Sequence, residues 1–124
     1  MAVKFYKCLI CGNVIEKLVD SRVAVVCCGQ KMTELVPNTV DASQEKHVPE
    51  VTVLEDGRLR IEVGSVLHPM LPEHHIAFIY VETDQGGIRV DLKDEPVAEV
   101  CVGKAKPIAV YEYCNLHGLW KKEL

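Results

Sequence analysis

Near its C-terminus the chain reads Cys114-Asn115-Leu116-His117, and four more histidines stand upstream at 47, 68, 74 and 75. A thiolate among several imidazoles suits a transition metal, because soft sulfur and borderline nitrogen select iron, copper or zinc over magnesium or calcium. His47, His68, one of His74 and His75, Cys114 and His117 are scattered over seventy residues, so only a fold can gather them. Of the adjacent pair His74 and His75, one side chain at most faces inward in an extended segment, since neighbours point to opposite sides. Four neutral imidazoles and one thiolate leave a divalent ion with a single net positive charge. Five donors also leave the sixth position of an octahedron open. Such a centre attracts a small anion and can hand it an electron.

A second donor set is Cys8-x-x-Cys11 with the adjacent pair Cys27-Cys28. Four thiolates make a tetrahedral all-sulfur site, which geometry allots to zinc or iron. Zinc would be a structural staple and iron a one-electron carrier, and the spacing leaves both open. Without a spacer between Cys27 and Cys28, one sulfur–metal–sulfur angle is expected to open. Gly12 tolerates positive φ, so the knuckle can aim backbone amides at sulfur. Cys101 belongs to neither set and reads as a small buried hydrophobe on a strand.

Composition narrows the setting of this chemistry. The 124 residues are 48% hydrophobic, enough for a core, and carry a net charge of −4 without a Lys/Arg run, which excludes nucleic acid as a main partner. No apolar run is long enough to span a bilayer, so no membrane role is expected. The start, Met-Ala-Val-Lys-Phe-Tyr-Lys-Cys, has no apolar signal core. The expected address is cytoplasmic, where thiols stay reduced and six cysteines are ligands more often than disulfides.

The elements that must hold these donors are short strands. Residues 1–37 form a first unit too small to fold on hydrophobic burial alone, with a metal clip supplying much of its stability. Within it Val14-Ile15 and Val23-Ala24-Val25-Val26 read as strands around Asp20-Ser21-Arg22. Pro37 marks a boundary, and residues 39–46 are polar, with a helical turn expected to start at a Thr39 cap. In residues 38–124, Val51 and Val53, then Leu59, Ile61 and Val63, alternate across Glu55-Asp56-Gly57, a hairpin signal. Ile76 to Val81 is apolar on both faces, as in a central strand. Ile88 to Leu92, Val97 to Val102 and Pro107 to Tyr113 complete about seven strands. The expected class is all-β: a small metal-knuckle domain, then an immunoglobulin-like antiparallel β-sandwich.

Specific blocks then carry a resemblance. Phe5-Tyr6-Lys7-Cys8-x-x-Cys11-Gly12-Asn13 and Val26-Cys27-Cys28-Gly29-Gln30-x-Met32 look like the desulforedoxin-type module. Glu45-Lys46-His47-Val48-Pro49, Gly64-Ser65-Val66-x-His68-Pro69-Met70 and Glu112-Tyr113-Cys114-Asn115-Leu116-His117-Gly118-Leu119-Trp120 match a neelaredoxin-like catalytic module. The chain resembles desulfoferrodoxin, the two-iron form of superoxide reductase, over essentially its whole length. The resemblance implies one iron at Cys8, Cys11, Cys27 and Cys28. It implies a catalytic ferrous iron with imidazoles from His47, His68, His74 and His117 and an axial thiolate from Cys114. The family's third histidine falls six residues after the one in His-Pro-Met, which selects His74 over His75. The implied reaction is one-electron reduction of superoxide to hydrogen peroxide, with a rubredoxin-like electron donor and a homodimeric state. Lys46 matches a lysine that steers the anion, and Glu45 a glutamate that closes over the iron after turnover. Two other classes compete: a zinc-stapled binding module with incidental histidines, and an iron electron carrier without superoxide chemistry.

Overall fold

The computed structural model describes residues 3–40, 42 and 44–124, with the backbone alone described at 44 and 45. The chain divides into two compact units, 1–36 and 37–124.

The first unit holds five short strands: β1 (Phe5–Lys7), β2 (Val14–Glu16), β3 (Val26–Cys27), β4 (Gln30–Lys31) and β5 (Thr33–Leu35). β1 is the middle of an antiparallel sheet in the order β2-β1-β5, with Tyr6 opposite both Ile15 and Glu34. β3 and β4 form a separate hairpin. Little is buried: Phe5 and Cys8 are covered, while Leu9, Ile10, Leu18, Val19, Val23 and Val26 are exposed. A chain this short lacks the surface to cover them. The expected strand over Val23–Val26 is corrected here. Only Val26 of that run lies in a strand, because the chain opposite leaves at Thr33 to pair with β1. The Val25 carbonyl accepts a last bond from the Met32 N–H at 2.8 Å, and the Val23 carbonyl accepts from Lys17 Nζ at 3.0 Å.

The second unit begins with one helical turn, α1 (Gln44–His47), and continues with β6 (Pro49–Val53), β7 (Leu59–Val63), β8 (Ile76–Thr83), β9 (Gly86–Asp91), β10 (Val97–Val100), β11 (Pro107–Cys114) and β12 (Gly118–Glu123). The turn starts five residues after Thr39, so Thr39 is not its cap. These seven strands form two antiparallel sheets, β10-β7-β6 and β12-β11-β8-β9. One core is built from both: Leu59, Ile61, Val63, Ala98 and Val100 from the first, Ile76, Ile79, Val81, Val110 and Cys114 from the second. That is a β-sandwich, with strand alternation turning every second side chain inward. The turn between β6 and β7 closes through Leu54 N–H to the Arg58 carbonyl at 2.8 Å, with Gly57 at φ 86° where an L side chain would be strained.

The central ladder slips at the end that matters. Tyr113 of β11 faces Phe78, but Cys114 faces Ile76, a bulge that turns the chain as it leaves the sheet. Asn38 covers the edge of β12: its N–H donates to the Leu119 carbonyl at 3.0 Å, and its amide bonds Lys121 at 2.9 and 3.2 Å. The segment leading into α1 is thereby anchored to the strand that carries Trp120. Cys101 is exposed, just past the end of β10, and is not the buried strand residue expected.

Candidate metal centres

In the first unit two knuckles bring four sulfurs within 4.8 Å of one another, those of Cys8, Cys11, Cys27 and Cys28. The first knuckle closes through Gly12 N–H to the Cys8 carbonyl and Cys8 N–H to the Asn13 carbonyl, both 2.9 Å, with Gly12 at φ 83°. Its geometry aims the Cys11 N–H at Cys8 Sγ, 3.5 Å away. The second is the tip of the β3–β4 hairpin. Cys27 pairs with Gln30, so Cys28 and Gly29 are the two central residues, at φ 52° and 72°. Two consecutive left-handed residues are the signature of a type I′ turn. Glycine adopts that conformation freely, and Cys28 does so at a cost that places its sulfur beside its neighbour's.

The sulfur spacing suits a tetrahedral ion. Cys11 Sγ and Cys27 Sγ stand 3.6 Å apart, and metal–sulfur bonds of about 2.3 Å at tetrahedral angles separate sulfurs by about 3.8 Å. Protonation points the same way. The Cys11 N–H, then that of Ile10, pulls the Cys8 thiol down to about 6. Hydrogen bonds with the Cys11, Cys8 and Cys27 sulfurs push Cys28 up to about 12. Without a cation, charge collects on Cys8, while Cys27 and Cys28 are pushed toward keeping their protons.

In the second unit the structure gathers His47, His68, His74, His117 and Cys114, again with all donor atoms within 4.8 Å. Around the ring the imidazole centroids are 4.7 Å (47–68), 4.6 Å (68–74), 5.0 Å (74–117) and 4.8 Å (117–47) apart. The diagonal from His47 to His74 is 6.5 Å, close to the ratio of diagonal to edge in a square. Neighbouring rings cross at 71–90°, while the diagonal pair lies at 28°. The donors meet at the middle: His47 Nε2 is 3.1 Å from His68 Nε2 and 3.0 Å from His117 Nδ1. Nitrogens at right angles on bonds of about 2.1 Å stand about 3.0 Å apart. Cys114 Sγ lies 3.5 Å from His68 Nε2 and 3.9 Å from His117 Nδ1. Four sides are taken by imidazoles, so the sulfur stands off the square, on the side of the core cluster to which Cys114 belongs. No sixth His, Cys, Asp or Glu donor joins the group among the described residues.

Each imidazole is held by its own device. His47 ends α1 and stacks on Trp120, centroids 4.9 Å apart at 24°. His68 donates from Nδ1 to the Pro69 carbonyl at 2.8 Å, which fixes the tautomer and leaves the Nε2 lone pair pointing inward. His74 sits on a tight turn closed by paired bonds with Leu71, 2.9 and 3.1 Å. His117 lies in the three-residue link from β11 to β12, and its carbonyl accepts the Trp120 indole N–H at 3.0 Å.

The centre is poised for a cation. Burial, chiefly, pushes His68 down to about 4, so its ring is neutral. Burial also holds the Cys114 thiol above its usual range, and the N–H groups of His117 and Leu116 work against that by bonding the sulfur. His74 Nε2 is buried with no partner among the described residues, a donor atom that a metal ion would satisfy.

The remaining predicted residues sit around this group. Lys46 is exposed beside His47, and its charge helps hold His74 below its usual range, after burial, His117 and His75. The Glu45 side chain lies outside the described residues. His75 stays out of the cluster, its Nδ1–H donating to the Leu71 carbonyl at 3.0 Å. Sequence reasoning gave no role to Trp120, Asn115 or Glu112. Glu112 is fully buried with neither carboxylate oxygen partnered among the described residues, and burial pushes it up to about 9. Its inward phase on β11, shared with Val110 and Cys114, is the signal that could have found it.

A four-sulfur knuckle and a four-imidazole, one-thiolate cluster on a sandwich define a two-centre non-haem metalloprotein, and both donor groups fit iron. Family comparison makes this specific. The family described as Desulfoferrodoxin matches residues 39–123, and Desulfoferrodoxin, N-terminal domain, matches residues 2–35; the chain belongs to the desulfoferrodoxin family. It is 44% identical over 119 residues to a desulfoferrodoxin of Syntrophotalea carbinolica, covering 95% of this chain and 94% of that one. It is 34% identical to a superoxide reductase of Pyrococcus abyssi, covering 68% of this chain and 90% of that one. Among solved structures it resembles the superoxide reductase from Treponema pallidum, with a TM-score of 0.81, 28% identity, and coverage of 99% of this chain and all of that one.

Proposed function

We propose that this protein is a superoxide reductase, adding one electron and two protons to superoxide to give hydrogen peroxide and releasing no dioxygen. The observation that carries the reading is the square of imidazoles with one thiolate behind it. His47, His68, His74, His117 and Cys114 would hold the catalytic iron, and Cys8, Cys11, Cys27 and Cys28 a second iron. Iron in the first site supplies the electron and an open coordination position for the anion.

The chain's own residues do the rest. Four neutral imidazoles leave the charge of the centre positive, which draws an anion. Cys114 would hold the iron through its sulfur and would supply electron density to it, tempered by the Leu116 and His117 N–H groups that bond that sulfur. Lys46 adds an exposed cation near His74 and steers the anion in an acidic protein. Glu45, one residue before Lys46, closes over the site after turnover. Protons come from solvent. We place the protein in the cytoplasm as a homodimer, re-reduced by a rubredoxin-like donor. No helix of the described residues is long and apolar enough to cross a membrane.

Pulse radiolysis of the anaerobically reduced full chain tests the reading. Superoxide should disappear rapidly, with stoichiometric peroxide and no dioxygen, from protein holding iron at both centres. Zinc at the four-sulfur site with no superoxide reaction would favour a stapled binding module, and two irons without reaction an electron carrier.

A further inference from the structure

We infer that Asn115 is a positioning residue for the metal centre, its side-chain amide bracketing the backbone of His74 and so fixing where that imidazole's donor atom stands. The inference rests on the reading of His74 as a donor in the proposed iron site.

His74, like His68 and His117, stands outside every strand. It lies between β7 and β8 on a turn whose backbone bonds run only between Leu71 and His74, so the turn is tied to itself. The sandwich reaches it from β11. The ladder between β8 and β11 ends at Ile76 and Cys114, and one last main-chain bond follows, Asn115 N–H to the His75 carbonyl at 3.2 Å. There the main chain turns away toward Gly118 and has nothing further to offer. The Asn115 side chain continues in its place. Its Oδ1 accepts the His75 N–H at 2.8 Å, and its Nδ2 donates to the Glu73 carbonyl at 3.0 Å. A primary amide carries the donor and the acceptor of a peptide group, so it acts as one more unit of strand. The two bonds fall on either side of residue 74, across sequence separations of 40 and 42.

The consequence is geometric. His74 Nε2 is buried with no partner among the described residues, so nothing at the ring tip corrects a misplaced backbone. Metal–donor distances tolerate errors of only about 0.2 Å. Asn115 also follows Cys114 directly, so one residue ties the axial sulfur's strand to an equatorial imidazole. Aspartate, the same shape, keeps the bond from the His75 N–H but sets a carboxylate oxygen against the Glu73 carbonyl, where no donor remains.

The test uses the full chain, prepared anaerobically and loaded with ferrous ion alone. Ferrous ion is counted per chain against a competing chelator, and the ferric EPR signal reports donor symmetry. Asn115→Asp and Asn115→Ala should hold iron at this centre roughly 10- to 100-fold more weakly. Their ferric signals should change in rhombicity, with the four-sulfur centre and the far-UV CD unchanged. In a His74→Gly background with free imidazole supplied, the weakening caused by Asn115→Asp should vanish, because a free ring is not placed by the backbone at residue 74. Should Asn115→Ala fail to fold, the isosteric Asn115→Asp carries the test. An Asn115→Asp protein matching wild type in iron retention and EPR overturns the inference, as does an undiminished effect in the imidazole-rescued background. Wild type that takes up no iron at this centre is a different result, and removes the functional reading along with the inference.

Discussion

Replacing Trp120 with phenylalanine separates two jobs that one indole does. The ring lies flat on His47, and its N–H holds the His117 carbonyl, so a single 1%-exposed side chain supports two imidazoles of the square. Phenylalanine keeps an aromatic face for His47 and loses the N–H. The lost ring volume is about 38 Å³, which at about 24 cal/mol per Å³ costs roughly 0.9 kcal/mol. Losing the donor to a partly buried carbonyl costs roughly another 1 kcal/mol. The sum, about 2 kcal/mol, is well below the roughly 3–5 kcal/mol of truncation to alanine, which also removes the stack. Urea unfolding of the chelator-treated protein, followed by far-UV CD, should show the Trp120→Phe midpoint lowered by about 1 M at a slope near 2 kcal/mol per M. At the centre, the ferric spectrum should change for Trp120→Phe through His117, and change further for Trp120→Ala through His47 as well. A Trp120→Phe protein within about 0.5 kcal/mol of wild type, with an unaltered spectrum, would refute the anchoring role. Equal effects of the two variants would refute the stacking role.

Lys46→Ala should slow superoxide capture about threefold at low salt, since a unit charge about 7 Å from an anion in water is worth about 0.6 kcal/mol. That difference should fade as salt is raised; stopped-flow or pulse radiolysis across ionic strength would expose an unchanged salt slope and so exclude steering. His74→Ala should abolish the catalytic centre in metal counts and optical spectra, whereas His75→Ala should leave it; the reverse would exchange the two residues' assignments. Stripping the metal from the four-sulfur site should strongly accelerate backbone hydrogen exchange over residues 5–35, because only Phe5 and Cys8 are buried apolar residues there. Protection that persists without metal would show that the unit folds on packing alone.

How much of this was legible depends on whether a residue's partner is near in sequence. The β6–β7 hairpin was readable because its turn needs Gly57 at positive φ and its strands alternate. The four-sulfur site was readable because both knuckles are local. The Val23–Val26 run misled, since β-propensity has no effect where no strand is available to pair. Cys101 misled for a related reason: β10 stops at Val100, and the next residue faces water. The five donors of the other centre were nameable from their types and from the family resemblance. Their arrangement, equatorial imidazoles with an axial thiolate, came from the resemblance alone and not from the residues, because it is set by β11, the bulge at Cys114, the turn α1 and two separate loops.

The supports show why residues behind the ligands resist sequence reading while the ligands do not. A ligand must be histidine or cysteine, so residue type alone raises it above background. A support needs only a shape and a hydrogen-bonding group in the right place, and the four here have no group in common: an indole face, a neighbouring carbonyl, a side-chain amide from the β11–β12 link and an indole N–H. Two also act across long separations, Trp120 onto His47 and Asn115 reaching back 40 residues to His75, while the two local ones, at separations of one and three, follow no strand period. Independence has a physical consequence. With no shared network among the supports of His68 and His74, disturbing one should displace one donor and leave the other ring in place. Trp120 breaks that rule because it holds two adjacent corners, so its loss should distort one edge of the square rather than one vertex.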